Sequence, residues 1–157
     1  RQRSSNRRTY FMSRLSEYIK SRREEQDLLS TDAARIKEEW LQELDKLMDT
    51  IDQWLRPSVE AGLKVTKATV PISEERLGTY IAPKRVIEFT GRRVEVEPKA
   101  RVIVGGHGRV DVRSSVGTAF LIFSKPEGLW FIVKDRDWTN RETFTQDSFE
   151  RLMEAFL

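Results

Sequence analysis

The residues most suggestive of chemistry form a short loop with three glycines in four positions, namely Gly105, Gly106, His107 and Gly108, with Arg109 directly after them. Glycine lets a backbone approach a ligand closely, and successive exposed N–H groups can bind an anion. In nucleotide-binding folds a helix follows the phosphate loop, whereas here the pattern of a strand follows at 109–113. The loop therefore has two interpretations, a ligand-binding loop or a glycine-rich hairpin turn.

His107 is the one histidine of the chain, and there is no cysteine. An imidazole titrates near neutral pH and suits a general base. Asp111 with Ser114 or Ser115 could complete a Ser-His-Asp arrangement, but no nucleophile-elbow motif is present. A zinc site of the usual kind needs further histidines or cysteines. We therefore assign no catalytic residue, expect no metal and no cofactor, and keep an exposed turn histidine as the simpler interpretation.

Arginines alternate with acids along the predicted strands. Arg109, Asp111 and Arg113 lie on one face of one strand, and Glu95 and Glu97 belong to a neighbouring strand. Arginine forks bind phosphate or carboxylate groups with two parallel hydrogen bonds. Acids on the same face make cross-strand ion pairs an equally good explanation. The face is therefore either an anion-binding surface or a solvated sheet face.

Charge is strongly separated near the N-terminus. Residues 1–23, the basic N-terminal arm, hold eight Lys or Arg and one acid, a net +7, whereas residues 24–60 have a net charge of −7. Basic residues interleaved with aromatic ones are typical of sequence-tolerant nucleic-acid binding. The candidate contacts to nucleic acid are Arg3, Arg7, Arg8, Arg14, Lys20, Arg22 and Arg23. The aromatic and apolar positions of the arm also match one helical face, which favours a place for them in the core.

Glycine and proline divide the chain, because all eight glycines and all five prolines lie between Pro57 and Gly128. Since these residues interrupt helices, the pattern predicts a helical N-terminal third that ends at Pro57. Its clearest apolar stripe, with the spacing of a coiled-coil seam, is a candidate partner-binding surface formed by Trp40, Leu44, Leu47, Ile51 and Trp54. We favour a helical hairpin that turns near residues 28–31; a single long helix that dimerises is the alternative.

The middle of the chain reads as short strands separated by turn residues. The predicted strands are 64–70, 77–81, 85–89, 93–97, 101–104, 109–113, 118–123 and 129–134. Arg-Val recurs at 85, 93, 101 and 109, eight residues apart. That period suits an antiparallel meander or partly closed barrel of six to eight strands.

The C-terminus carries the signals of a helix packed on the sheet. Thr145 is the predicted N-cap, and Phe144 and Phe149 are spaced as a hydrophobic staple. Before it, Trp138 lies in a polar loop outside any periodic pattern. It is a candidate contact for a protein partner, or it covers the edge of the sheet.

These patterns together predict an α+β fold. We divide the chain into a disordered basic tail at 1–8, a helical region at 9–56 and a β-rich domain with a C-terminal helix at 57–157. No apolar run approaches the ~20 residues of a membrane span, so we expect no membrane contact. The absence of cysteine suits a reducing compartment, and we expect a cytoplasmic protein.

Three functions fit the sequence. The leading hypothesis is a non-catalytic protein-interaction or assembly module with a protein partner or self-association. The alternative is a nucleic-acid-binding accessory protein that uses the basic arm. The third is a small enzyme whose site is the glycine-rich loop.

Overall fold

The computed structural model describes residues 2–103, 106–134 and 138–157, and within 2–12, 24–31 and at 138 it describes the backbone alone. In these residues a long helix is followed by a sheet of seven strands and a short helix. The elements are α1 (Gln2–Glu60), β1 (Lys64–Glu74), β2 (Gly78–Phe89), β3 (Arg92–Ala100), β4 (Arg109–Ser114), β5 (Thr118–Ser124), β6 (Leu129–Lys134), a 3₁₀ turn (Trp138–Asn140), β7 (Glu142–Thr143) and α2 (Gln146–Phe156).

The sheet is an antiparallel meander in which each strand pairs with the next one along the chain, from β1 to β7. In the described residues β1 and β7 are its two edges and do not pair with each other, so the sheet is open. The predicted α+β class and meander are confirmed. The variant with a partly closed barrel is not observed.

Strand β2 joins two of the predicted strands across Pro83. Proline donates no ladder hydrogen bond and is tolerated where one side of a strand is unpaired. Pro83 pairs with Thr69 of β1, whereas pairing between β2 and β3 begins only at Arg85. The proline therefore lies in a two-stranded extension of the sheet, where no neighbour needs its missing donor.

The predicted strand at 101–104 is wrong in the described residues, where the segment holds only an isolated bridge between Ile103 and Gly106. A shift of register between Pro98 and Ala100 ends β3 first. The Arg-Val period therefore matches β2, β3 and β4 but not residue 101. Strand β7 was missed because two residues carry no recognisable pattern.

Helix α1 is continuous over 59 residues, so the single long helix is observed and the favoured hairpin is wrong. At a rise of 1.5 Å per residue, it is roughly 88 Å long. Residues 28–31 contain no glycine or proline, and without a helix breaker the backbone has no reason to turn there. The helix includes residues 2–8; the three-part division of the chain stays a prediction.

Pro57 lies inside α1, so the helix continues one turn beyond the end that the sequence analysis predicted. It ends instead at Glu60, and Gly62 just beyond it has a φ of +119°, a conformation that favours glycine. The N–H of Leu63 donates to the carbonyl oxygen of Ser58 over 2.9 Å, and the N–H of Gly62 donates to that of Val59 over 3.0 Å. This is the Schellman pattern that satisfies the last carbonyls of a helix.

The core lies between one face of the sheet and the two α-helices. The side chains in it share almost complete burial, and the largest are Trp40, Phe149, Leu44, Met48, Ile51, Ile87, Leu121, Ile132 and Leu152. Helix α2 begins as predicted, since Thr145 is its N-cap and the rings of Phe144 and Phe149 meet edge to face at 5.7 Å. The placement of the C-terminal helix on the sheet is therefore confirmed.

The turn between β2 and β3 contains a threonine with a strained backbone conformation. Its two residues, Thr90 and Gly91, have φ values of 49° and 81°, as in the type I′ turns of two-residue hairpins. A β-branched residue is strained at positive φ, whereas asparagine tolerates it. We expect Thr90→Asn to raise the free energy of unfolding by about 1 kcal/mol, measured by equilibrium urea denaturation.

The matched control is Thr66→Asn, at an exposed position of β1. Asparagine is less favourable than threonine in a strand, so we expect no gain at this site. An equal gain from both substitutions would contradict the assignment of strain to Thr90.

Candidate functional site

The predicted ligand loop is used by the fold itself. The N–H of His107 donates to the carbonyl oxygen of Phe123 over 2.8 Å, and the N–H of Phe123 donates to that of Gly108 over 2.9 Å. The Nδ1 of His107 accepts the N–H of Lys125 at 3.3 Å. These groups extend the β4–β5 ladder instead of facing an open cradle. Gly105 lies outside the described residues.

Close packing accounts for the two described glycines of this loop. A Cβ at Gly108 would lie 2.2 Å from the ring of Trp40, and one at Gly106 would lie 2.5 Å from Cγ2 of Ile122. Neither distance is possible for real atoms, so a side chain at either position would push its neighbour away. Gly108 thereby lets α1 approach the sheet.

Arginines on the outer face of the sheet already have carboxylate partners. The Nε of Arg109 donates to Asp111 over 2.7 Å, and the guanidinium of Arg113 donates to Glu95 over 3.2 Å and to Glu97 over 3.1 Å. Burial raises the pKa of Glu97, but the hydrogen bond and charge of Lys99, together with nearby cations, outweigh it and leave that pKa below its usual range. A phosphate would have to displace these pairs, so the solvated, ion-paired interpretation of this face fits better.

A chain of hydrogen bonds connects Trp40 to the segment after β3. The Nε1–H of Trp40 donates to the hydroxyl of Tyr80 at 3.1 Å, and that hydroxyl donates to Glu74 at 2.5 Å. The same carboxylate accepts the N–H groups of Arg101 and Val102, at 3.0 and 2.9 Å. Burial, together with Glu74, raises the pKa of Tyr80, so the phenol remains a donor at neutral pH.

A cleft of about 280 Å³ opens beside this chain, between α1 and the β5–β6 turn. Its charged lining residues are Glu39, Glu43, Arg101 and Lys125. Lys125 pairs with Glu39 across the cleft at 3.3 Å. Two acids and two bases therefore balance within the described lining, and nothing in it selects an anionic or a cationic ligand.

The predicted partner-binding stripe of α1 lies in the core of the protein. Trp40, Leu44, Leu47 and Ile51 are at most 3% exposed. Trp54 is partly buried, with its ring 5.0 Å from that of Phe144. These side chains pack on the sheet and on α2, so they are not available to a partner in this fold.

The arm contains the exposed apolar residues that the sequence analysis had assigned to the core. Leu15, Tyr18 and Ile19 are 69%, 61% and 50% exposed. Their spacing places them on one helical face, and every residue from 14 to 23 is exposed. The expectation of burial was wrong because it required a hairpin to return the arm to the domain.

Arg14 flanks this apolar face on one side and Arg23, with Lys20 beyond it, on the other, while Arg22 lies on the face itself, one turn after Tyr18. Arg14, Lys20, Arg22 and Arg23 are all exposed. The side chains of the other candidate contacts, Arg3, Arg7 and Arg8, lie outside the described part of the chain, as does the side chain of Trp138. The interpretations of these four residues stay predictions.

A second surface was missed because three elements distant in sequence form it. We call it the α1–α2 groove; its volume is about 450 Å³ and its lining residues are Leu55, Ser58, Leu63, Phe89, Thr90, Glu150, Met153, Glu154 and Leu157. Phe89, one of the apolar residues that line the groove, is 44% exposed. The carboxylates of Glu150 and Glu154 belong to α2, one helical turn apart.

The chain matches no family model, and no curated protein or solved structure is significantly similar to it. In the described residues no helix is long and apolar enough to cross a bilayer. Those residues also contain no group of three or more histidine, aspartate or glutamate side chains placed to hold a metal ion.

The close contact between Gly108 and Trp40 leaves no room for a side chain at position 108. We expect Gly108→Ala to lower the free energy of unfolding by about 3 kcal/mol, because the new methyl group overpacks the ring and the φ of +153° disfavours alanine. Gly78→Ala is the matched control, since its φ is +73° but nothing lies within 4 Å of the new Cβ. There we expect a loss of about 1 kcal/mol from backbone strain alone.

Urea denaturation followed by tryptophan fluorescence measures both values. Equal losses for the two variants would contradict the packing role of Gly108.

Proposed function

We propose that the chain is a non-catalytic protein-interaction or assembly module whose contact element is the basic N-terminal arm. The observation that carries the proposal is the exposure of Leu15, Tyr18 and Ile19 on one face of a helix. From Ala33 onward most apolar residues of the same helix pack against the core, whereas Val59 near its end is exposed. Over residues 14–23 the apolar face of the helix remains uncovered in the isolated chain.

An uncovered apolar helix face of this kind is typical of a surface that another protein covers. Complete burial of a large apolar side chain contributes about 1.5–3 kcal/mol. Leu15, Tyr18 and Ile19 together therefore supply several kcal/mol toward association, before the entropy cost of binding is subtracted. The flanking bases Arg14, Lys20 and Arg23 favour a partner surface that carries acidic groups.

Other features of the structure support a non-catalytic role. The described lining of the cleft beside Trp40 has balanced charges, and the backbone groups of His107 and Gly108 are used by the β4–β5 ladder.

A photocrosslinking experiment tests this proposal. Benzoylphenylalanine replaces Tyr18 in the full chain, and in a second variant it replaces Ile81, which has a similar exposure of 58% against 61%. We expect the probe at position 18 to crosslink to a protein, identified by mass spectrometry after irradiation of cells that express the chain. The probe at position 81 should yield no such product. Equal products from both probes, or no product from position 18, would overturn the proposal.

Nucleic-acid binding is a second candidate function, favoured by one observation. Four exposed bases, Arg14, Lys20, Arg22 and Arg23, lie within ten residues of a single helix. Bases clustered along a helix neutralise successive phosphates. The exposed aliphatic side chains among them favour a protein contact instead, which is why this function comes second.

Fluorescence anisotropy with labelled single- and double-stranded DNA and RNA tests this alternative on the full chain. If these four bases contact phosphates, we expect affinity to fall about a hundredfold between about 50 and 200 mM salt. Replacing all four by glutamine should remove the binding. The control replaces four exposed bases elsewhere by glutamine, at Arg56, Lys64, Arg76 and Lys134. Equal loss in both variants would exclude the arm as the binding site.

A further inference from the structure

We propose that the arm of one copy of this chain binds in the α1–α2 groove of a second copy. The inference rests on the proposed function of the arm and names its partner. It follows from the apolar match between the two surfaces, from their opposite charges and from the length of α1.

The groove has the chemistry of a receptor for a basic amphipathic helix. Leu55, Leu63 and Met153 are buried below it, and Phe89 is exposed at its side. Its lining residues include the carboxylates Glu150 and Glu154 and no lysine or arginine. Neither carboxylate forms an ion pair within the described residues; Glu150 accepts only a long hydrogen bond, 3.5 Å, from Gln146.

The arm offers the complementary surface. Leu15 and Ile19 are one turn apart, the usual spacing of anchors when an amphipathic helix docks in a groove. Residues 13–23 hold four bases and one acid, a net +3. An apolar face edged with positive charge therefore matches an apolar groove edged with negative charge.

Because α1 is long, the arm that occupies a groove cannot be the arm of the same molecule. Leu15 and Leu55 are forty residues apart on one continuous helix, a separation of roughly 60 Å. A helix without a break cannot fold back over that distance, so an arm in the groove has to belong to another molecule.

An antiparallel arrangement of two copies of α1 makes the contact reciprocal, because the arm at one end of each helix then lies beside the C-terminal end of α1 in the other copy. Leu15 of each copy then reaches the groove of its partner at the end of α1. In a two-fold dimer of this kind each arm occupies the groove of the other copy, so no arm or groove is left free to bind a further copy.

Sedimentation equilibrium of the full chain is the first test. We expect a concentration-dependent species of twice the chain mass of 18.4 kDa. The double variant Leu15→Asp/Ile19→Asp should be monomeric, because a charge at each anchor opposes burial. The matched control, Leu129→Asp/Ile81→Asp, changes two exposed residues of the same types on the sheet and should remain dimeric, with circular dichroism confirming that both variants fold.

A charge exchange locates the arm in the groove. We expect Glu150→Lys/Glu154→Lys to weaken the dimer at least tenfold, because the rim then repels the basic arm. Adding Lys20→Glu/Arg23→Glu to the same chain should restore most of the affinity, since the charges of the arm and of the groove are then both reversed. All four side chains are exposed, so these changes leave the core intact.

Each outcome separates this inference from the proposed function. A monomeric chain whose position-18 probe crosslinks to a different protein would overturn the second copy as partner and leave the proposed function standing. A dimer lost in the arm variant but not weakened by the rim variant would overturn the groove as the docking site. A monomeric chain with no crosslink from position 18 would overturn both proposals.

Discussion

The contact between α1 and the sheet at Trp40 is the constraint on which the rest of the structure depends. The indole ring is 1% exposed, because Gly108 lets it reach the backbone of the sheet and Trp130 lies 5.8 Å away, ring to ring. Its one polar atom is satisfied by Tyr80, so its burial leaves no donor unpaired. Glu74 in turn connects this hydroxyl to the backbone after β3. One glycine and one chain of hydrogen bonds thus set how closely the long helix approaches the strands.

A single helix can therefore belong both to the core and to a protruding arm. Its C-terminal half covers the sheet, and the ion pair between Asp52 and Arg85 fixes it there, with N–O distances of 2.8 and 3.0 Å. Arg85 is 6% exposed, and removing its partner would leave a buried charge unpaired, which is strongly unfavourable. The N-terminal half has no sheet beneath residues 14–23, so its apolar face remains exposed. Apolar residues with the same helical spacing are thus buried in the C-terminal half of the helix and exposed at residues 15–19.

Most charged side chains of the β-rich part are used within the fold. Arg113 of β4 pairs across strands with Glu95 and Glu97 of β3, and Arg109 makes a bidentate contact with Asp111 of its own strand. By contrast, Glu150 and Glu154 are exposed on α2 and form no ion pair within the described residues, and Arg14, Lys20 and Arg23 are exposed on the arm. These charged groups of the arm and of the α1–α2 groove are therefore accessible from solvent.

Elements whose signals are local could be recognised in the amino-acid sequence. The positions of glycine and proline marked the helical and β-rich parts, Thr145 marked the start of α2, and the turn residues marked most strands. Local signals also explain the errors, because Pro57 was read as a helix end although α1 continues to Glu60, just before Gly62. Which apolar residues are covered, by contrast, depends on how the elements pack against one another. Trp40 and Leu15 follow the same helical periodicity, but burial depends on whether a sheet lies opposite, and residues far away in the chain determine that. The α1–α2 groove was beyond sequence analysis for the same reason, since it exists only where the end of α1, the β2–β3 turn and α2 meet.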